Sequence, residues 1–150
     1  MTPVHAVRHK RGAPKVPFTR ATVADVMTEG LISCAPSTPL RTVARLMAEH
    51  RVHSVFVFDY GEEDDETVQL WGLVSDLDLV AAGRGDIDEL TARDASVTPL
   101  VSARSDESLS RAVQLLTENG VSHLAVIDPY TRRPVGVLST LDIARVLADA

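Results

Sequence analysis

One cysteine, Cys34, occurs in 150 residues. A single thiol excludes an internal disulfide and any multi-cysteine metal site. No run of about 18 apolar residues occurs, so no transmembrane helix is expected. The start of the chain shows no apolar core of a secretory signal. Together these absences point to the cytoplasm. Catalytic patterns are missing as well: there is no His-Glu-x-x-His, no Walker loop and no paired Cys/His ligand set. Ser75, His53 and Asp78 are the residue types of a hydrolytic triad, but no Gly-x-Ser-x-Gly elbow surrounds Ser75. No nucleophile, base and orienting group are implied, so neither enzymatic activity nor a required cofactor is expected.

Acidic residues are absent before Asp25. That stretch carries Arg8, Lys10, Arg11, Lys15 and Arg20, a charge of +5, and holds both lysines of the chain. The remainder carries 10 basic and 21 acidic side chains, a charge of −11, which leaves the net −6. An acidic body does not suit nucleic acid as the main partner. Residues 1–20, with Pro3, Pro14 and Pro17, read as a solvated basic arm. A hydrophobic content of 45% beside 24% charged residues is globular and excludes wholesale disorder.

What is present is an internal repeat. The segment from Val23 to Asp59 aligns without a gap to Ala92 to Asp128, at an offset of 69. Asp25 meets Asp94, Leu40 meets Leu109, and Val57 meets Val126. The offset then falls to 64, where GLVSDLDLV from Gly72 matches GVLSTLDIA from Gly136. The first copy has gained five residues in an acidic stretch that includes Glu62, Glu63, Asp64, Asp65 and Glu66. This run lacks the alternating aspartates and glycine of a calcium loop, so it reads as a solvated hairpin loop.

Each copy has the same local grammar. Leu31–Cys34 and Leu100–Ala103 are short apolar runs that read as strands. Leu40, Val43, Ala44 and Met47 recur at helical spacing and predict a helix over 38–49, with Thr38 as N-cap and Pro39 at its first position. Leu109, Ala112, Val113 and Leu116 predict its counterpart, stopped at Asn119-Gly120. VHSVFVF and VSHLAVI read as strands, and a second strand follows in each copy. A final helix carries Leu77, Val80 and Ala81, or Leu141, Ala144, Arg145 and Leu147. Each unit therefore reads β-α-β-β-α, in an α/β (α+β) chain. A unit this small leaves an apolar face uncovered, so the two copies are expected to pack together. Cys34, aligned with Ala103, reads as a small buried residue. Trp71 is expected to pack at a strand edge, and His53 and His123 at strand starts read first as structural hydrogen-bonding residues.

The chemistry sits in a repeated Gly-x-x-Ser-x-x-Asp: Gly72, Ser75 and Asp78, then Gly136, Ser139 and Asp142. Serine followed three residues later by an acid at a helix start is a capping box. The same geometry suits a nucleotide. A helix start attracts phosphate, a carboxylate one turn in can accept from a ribose diol, and a glycine permits close approach to the backbone.

The tandem copies resemble a pair of CBS domains, named from cystathionine β-synthase. The resemblance rests on HRVHSVFVFD, 12 residues, GLVSDLDLV, and on NGVSHLAVID, 7 residues, GVLSTLDIA; it covers about residues 21–148. It implies a 1–20 arm, CBS units at 21–84 and 85–150, and a pseudo-twofold module with two adenosine-nucleotide clefts. By position, one cleft takes Ile32, Ala35, Arg51, Val52, His53, Ser75 and Asp78. The other takes Val101, Arg104, Val121, Ser122, His123, Ser139 and Asp142. The adenine is expected against the strand residues, the hydroxyl near phosphate and the acid on the ribose. Arg51 and His53 fill basic places where the second copy has Gly120 and Ser122, so the first cleft is expected to favour a polyphosphate. The implied protein is a stand-alone regulatory homodimer that senses AMP, ADP, ATP or S-adenosylmethionine and modulates a separate protein. The alternatives are a ligand-free dimerisation and interaction module, and, less favoured by the charge balance, a nucleic-acid-associated protein using the arm.

Overall fold

The computed structural model describes residues 16–60 and 68–149 of the chain. The acidic run 62–66, the arm's first four basic residues and the Trp71 side chain lie outside the described set. In chain order the elements are α1 (Val23–Val26), β1 (Thr28–Glu29), β2 (Ser33–Cys34), α2 (Leu40–His50), β3 (Ser54–Tyr60), β4 (Val68–Ser75), α3 (Asp76–Ala82), α4 (Ala92–Ala95), β5 (Ser102–Arg104), α5 (Leu109–Asn119), β6 (His123–Ile127), β7 (Pro134–Ser139) and α6 (Thr140–Ala148). They form two compact units, one built on Ile32–Leu100 and the other on residues up to Leu31 together with Val101 onward.

In the first unit β2 runs parallel to β3, and β3 runs antiparallel to β4. Val55, Phe56, Val57 and Phe58 are all buried, so both faces of this central strand are covered. Helix α2 lays Leu40, Val43 and Met47 into the core at helical spacing. Its start differs from the sequence expectation. The N-cap is Pro39 rather than Thr38, and no side chain caps it. The Leu40 N–H is instead taken by the Leu90 carbonyl at 2.9 Å, a partner 50 residues away that local sequence cannot show.

The second unit has the sheet order β1-β7-β6-β5, with β5 parallel to β6 and the other pairs antiparallel. Leu109, Ala112 and Leu116 of α5 meet Val121, Leu124, Val126 and Leu138 in its core. Ser108 caps α5 by accepting from the Arg111 N–H at 3.1 Å, and Gly120 ends it in the left-handed region.

Neither unit is one continuous copy of the repeat, because the two copies exchange their opening segments. In the second unit Val23 N–H donates to Glu107 O, Ala24 N–H to Ser105 O, and Leu109 N–H to Ala21 O, each at 2.9 Å. In the first unit Ala92 N–H donates to Thr38 O at 2.8 Å and Arg93 N–H to Pro36 O at 3.0 Å, position for position the same pattern. Backbone donors and acceptors that have no partner in their own copy find one in the exchanged segment. Val16 and Phe18 pack against the second unit's core, so the end of the basic arm is anchored there.

Candidate functional site

Strand β4 delivers Ser75 to the start of α3, and β7 delivers Ser139 to the start of α6. Both serines are extended N-cap residues closing complete capping boxes. Ser75 Oγ accepts from Asp78 N–H at 3.1 Å, and Asp78 Oδ2 accepts from Ser75 N–H at 3.0 Å. Ser75 is 6% exposed and Asp78 and Asp142 are each 7% exposed, so the motif acids are buried with their partners. In the second unit Asp142 Oδ2 accepts from Ser139 N–H at 2.9 Å and from Ser139 Oγ at 3.0 Å, while Arg145 Nη1 stands 3.7 Å from Oδ1.

Sequence reasoning missed two residues here. Thr98 Oγ1 donates to Asp78 Oδ2 at 2.6 Å and lies 3.3 Å from Ser75 Oγ. Thr98 reaches the site only through the segment exchange, and its repeat mate is Glu29, so no local pattern marks it. The other is Asp76. Its Oδ1 accepts from the Leu77 N–H at 2.9 Å, and its Oδ2 lies 3.1 Å from His53 Nδ1. The available signal was the repeat itself, which has Asp76 in one copy and Thr140 in the other.

The strand register brings three of the expected positions, His53, Ser122 and His123, to these helix starts. Ser54 lies opposite Ser75, and His123 opposite Ser139. The His53 carbonyl accepts from Asp76 N–H at 2.9 Å, and the Ser122 carbonyl accepts from Thr140 N–H at 3.0 Å. Arg51, with φ 53°, and Gly120, with φ 61°, turn the chain at equivalent corners before the strands. Arg51 and Ser122 are exposed, while Val52 is half-buried. Val121 and His123 are buried, and Ser122 Oγ lies 2.9 Å from His123 Nδ1. Ile32 sits wholly in the core and presents its carbonyl to Phe56 N–H; Val101 does the same for Ala125 N–H. Ala35 and Val101 are half-buried. Arg104 is held in a two-pronged pair with Asp106, at 3.0 and 2.6 Å.

The motif glycines serve the chain itself. A Cβ on Gly136 would stand 2.4 Å from the Thr28 carbonyl oxygen and 3.1 Å from Met27 Sδ, where β1 crosses β7. On Gly72 it would meet only Ser96, at 3.4 Å, an ordinary contact. Close backbone approach is thus real at Gly136, but the approaching group is the exchanged segment.

Cys34 is buried in β2, and burial pushes its thiol up to about 11, partly offset by a hydrogen bond with Thr38. A neutral core thiol of this kind is a poor nucleophile. No group of three metal-ligating side chains occurs among the described residues, and no helix among them is long and apolar enough to cross a membrane.

A CBS domain family model matches residues 23–85 and again residues 92–149. The chain belongs to the CBS domain family. It is 27% identical over 128 residues to the uncharacterized protein MK0525 of Methanopyrus kandleri, covering 83% of this chain and 61% of that one. It is 25% identical over 126 residues to the CBS domain-containing protein YhcV of Bacillus subtilis, covering 83% and 84% of the two chains. Among solved structures, the CBS domain pair of MJ0100, in complex with 5′-methylthioadenosine and S-adenosyl-L-methionine, has a TM-score of 0.71 at 22% identity, covering 86% of this chain and 97% of that one. The mixed α/β architecture is therefore that of a CBS pair.

Proposed function

We propose that this CBS pair is a regulatory module that binds an adenosine-containing ligand and passes the binding event to a separate protein. The observation that carries this reading is the recurrence, in both units, of a buried motif acid held by a capping serine. Both hydrogen bonds accepted by the Asp78 carboxylate fall on Oδ2, so a ribose diol would be met by Oδ1. The helix capping and the ligand role use the same atoms and coexist. The ligands of the MJ0100 pair are adenosine compounds, which supports the class of ligand. AMP, ADP, ATP and S-adenosylmethionine are its candidate members. A serine committed to a helix cap supports regulation rather than catalysis.

A homodimer is part of the reading. Leu77 is 75% and Val80 70% exposed on α3, and Leu141 is 51% and Leu147 58% exposed on α6. Apolar positions that the helical repeat would ordinarily turn inward face solvent in each unit, which suits a helix-mediated contact with a second copy. The alternative, a ligand-free interaction module, draws on the completeness of the two capping boxes.

Thermal unfolding with AMP, ATP and S-adenosylmethionine separates the two. Stabilisation follows RT ln(1 + [L]/Kd), so ligand at ~100 Kd adds ~2.7 kcal/mol. A rise in Tm that Asp78→Ala or Asp142→Ala reduces supports the adenosine site. No rise with any of the three at millimolar concentration favours the ligand-free module.

A further inference from the structure

We propose that Asp76 is a specificity-determining residue that turns the first unit's site away from 5′-phosphorylated adenosines and toward those with an uncharged or cationic 5′ group. The inference rests on the adenosine reading above and narrows it. The sequence comparison alone suggested the opposite, because Arg51 and His53 stand where the second copy has Gly120 and Ser122.

The structure changes that balance through one carboxylate. Asp76 follows the capping serine directly, and the His53 carbonyl takes its N–H at 2.9 Å. Its Oδ2 lies 3.1 Å from His53 Nδ1, so the imidazole that would serve an anion faces an acid of the chain itself. Its Oδ1 accepts from the Leu77 N–H at 2.9 Å, an amide at the helix start that a phosphate oxygen would otherwise use. A ligand phosphate would compete with Asp76 for both donors and meet its negative charge. The second unit has the same backbone arrangement, Thr140 N–H to Ser122 O at 3.0 Å, with no carboxylate at the position. The two units therefore differ by one negative charge at an equivalent place. The His53 and Asp76 side chains are 66% and 56% exposed, within reach of a ligand.

AMP and 5′-methylthioadenosine share the adenosine and differ at the 5′ group, so their affinity ratio isolates the effect. Calorimetric titration of the full chain with each ligand provides the test. At the first unit's site the wild type is expected to bind methylthioadenosine at least tenfold more tightly than AMP, and Asp142→Ala, which removes the second unit's motif acid, assigns the sites in the titration. Asp76→Asn keeps an oxygen for the Leu77 N–H and removes only the charge. It is expected to narrow the ratio about tenfold while leaving methylthioadenosine affinity within about threefold. Asp76→Thr, which copies the second unit, is expected to do the same, and Thr140→Asp to weaken AMP binding at the second unit. A first-site ratio unmoved by both Asp76 variants, or a first-site preference for AMP, overturns the proposal and leaves the adenosine reading standing. Failure of both ligands to bind at millimolar concentration overturns the two together.

Discussion

Arg51 and Gly120 occupy the same left-handed corner, with φ 53° and ψ 45° at the arginine and φ 61° and ψ 34° at the glycine. Each ends its helix by returning a backbone N–H to the last turn, Arg51 to Met47 O and Gly120 to Leu116 O. Glycine adopts this conformation without steric cost, and a residue with a Cβ does not. Arg51→Gly is expected to stabilise the protein by about 0.5–1 kcal/mol, because relief of the left-handed strain exceeds the added chain entropy. Urea unfolding of the variant checks this; an unchanged or lower midpoint contradicts it.

Gly136 and Gly72 hold the same motif position and should respond differently to alanine. At Gly136 the new methyl would be driven into the Thr28 carbonyl, a backbone group fixed by the β1–β7 pairing. At Gly72 it would touch the Ser96 side chain at a normal distance. Gly136→Ala is expected to cost about 2–3 kcal/mol by overpacking, and Gly72→Ala less than about 1 kcal/mol. Equal losses in denaturant unfolding would show that β1 yields easily.

The Cys34 thiol gives an alkaline signature. Its folded pKa is pushed above the ordinary thiol value of 9.0 to about 11, so folding favours the protonated form. Its contribution is complete below about pH 9 and is lost as pH rises toward about 11. Wild type should lose about 2 kcal/mol relative to Cys34→Ala between pH 8 and pH 10.5. The alanine variant copies Ala103 of the other unit, itself buried. Parallel stability curves for the two proteins over that range would refute the assignment.

Thr98 should matter although it lies outside the repeated motif. Removing its hydroxyl deprives the buried Asp78 of a 2.6 Å hydrogen bond. Thr98→Val is expected to cost about 1–2 kcal/mol, near the loss from Ser75→Ala at the cap. A thermal scan with no change in Tm would show that Asp78 is held by the capping box alone.

The exposed apolar helix faces predict the behaviour of charged variants. Leu77→Glu and Leu141→Glu should leave the circular dichroism spectrum unchanged, since both side chains already face solvent. Sedimentation velocity should then show a shift from dimer toward monomer. A monomeric wild type, or a dimer that tolerates both substitutions, removes these faces from the contact.

Much of the architecture was legible because the copies repeat the same local signals. The apolar spacing of Leu109, Ala112 and Leu116, the Asn119-Gly120 stop, and the serine-to-acid spacing at both final helices each encode structure within a few residues. The N-cap of α2 was not legible. Thr38 has the right chemistry for it, but the Leu90 carbonyl supplies the helix start instead. The candidate site was legible to the same degree: the capping boxes of Ser75 with Asp78 and of Ser139 with Asp142 follow from spacing, whereas Thr98 arrives from a distant segment.

The amino-acid sequence by itself determined two copies of one repeat, most of their strands and helices, and where their motif acids sit, because periodicity and caps act over a few residues. Tertiary structure decided which segment completes which unit. It also decided that Gly136 makes room for Thr28, and that the basic His53 faces Asp76. Those outcomes depend on contacts between residues 23 to 108 positions apart in the chain, where distance and geometry, rather than residue type, settle the partner.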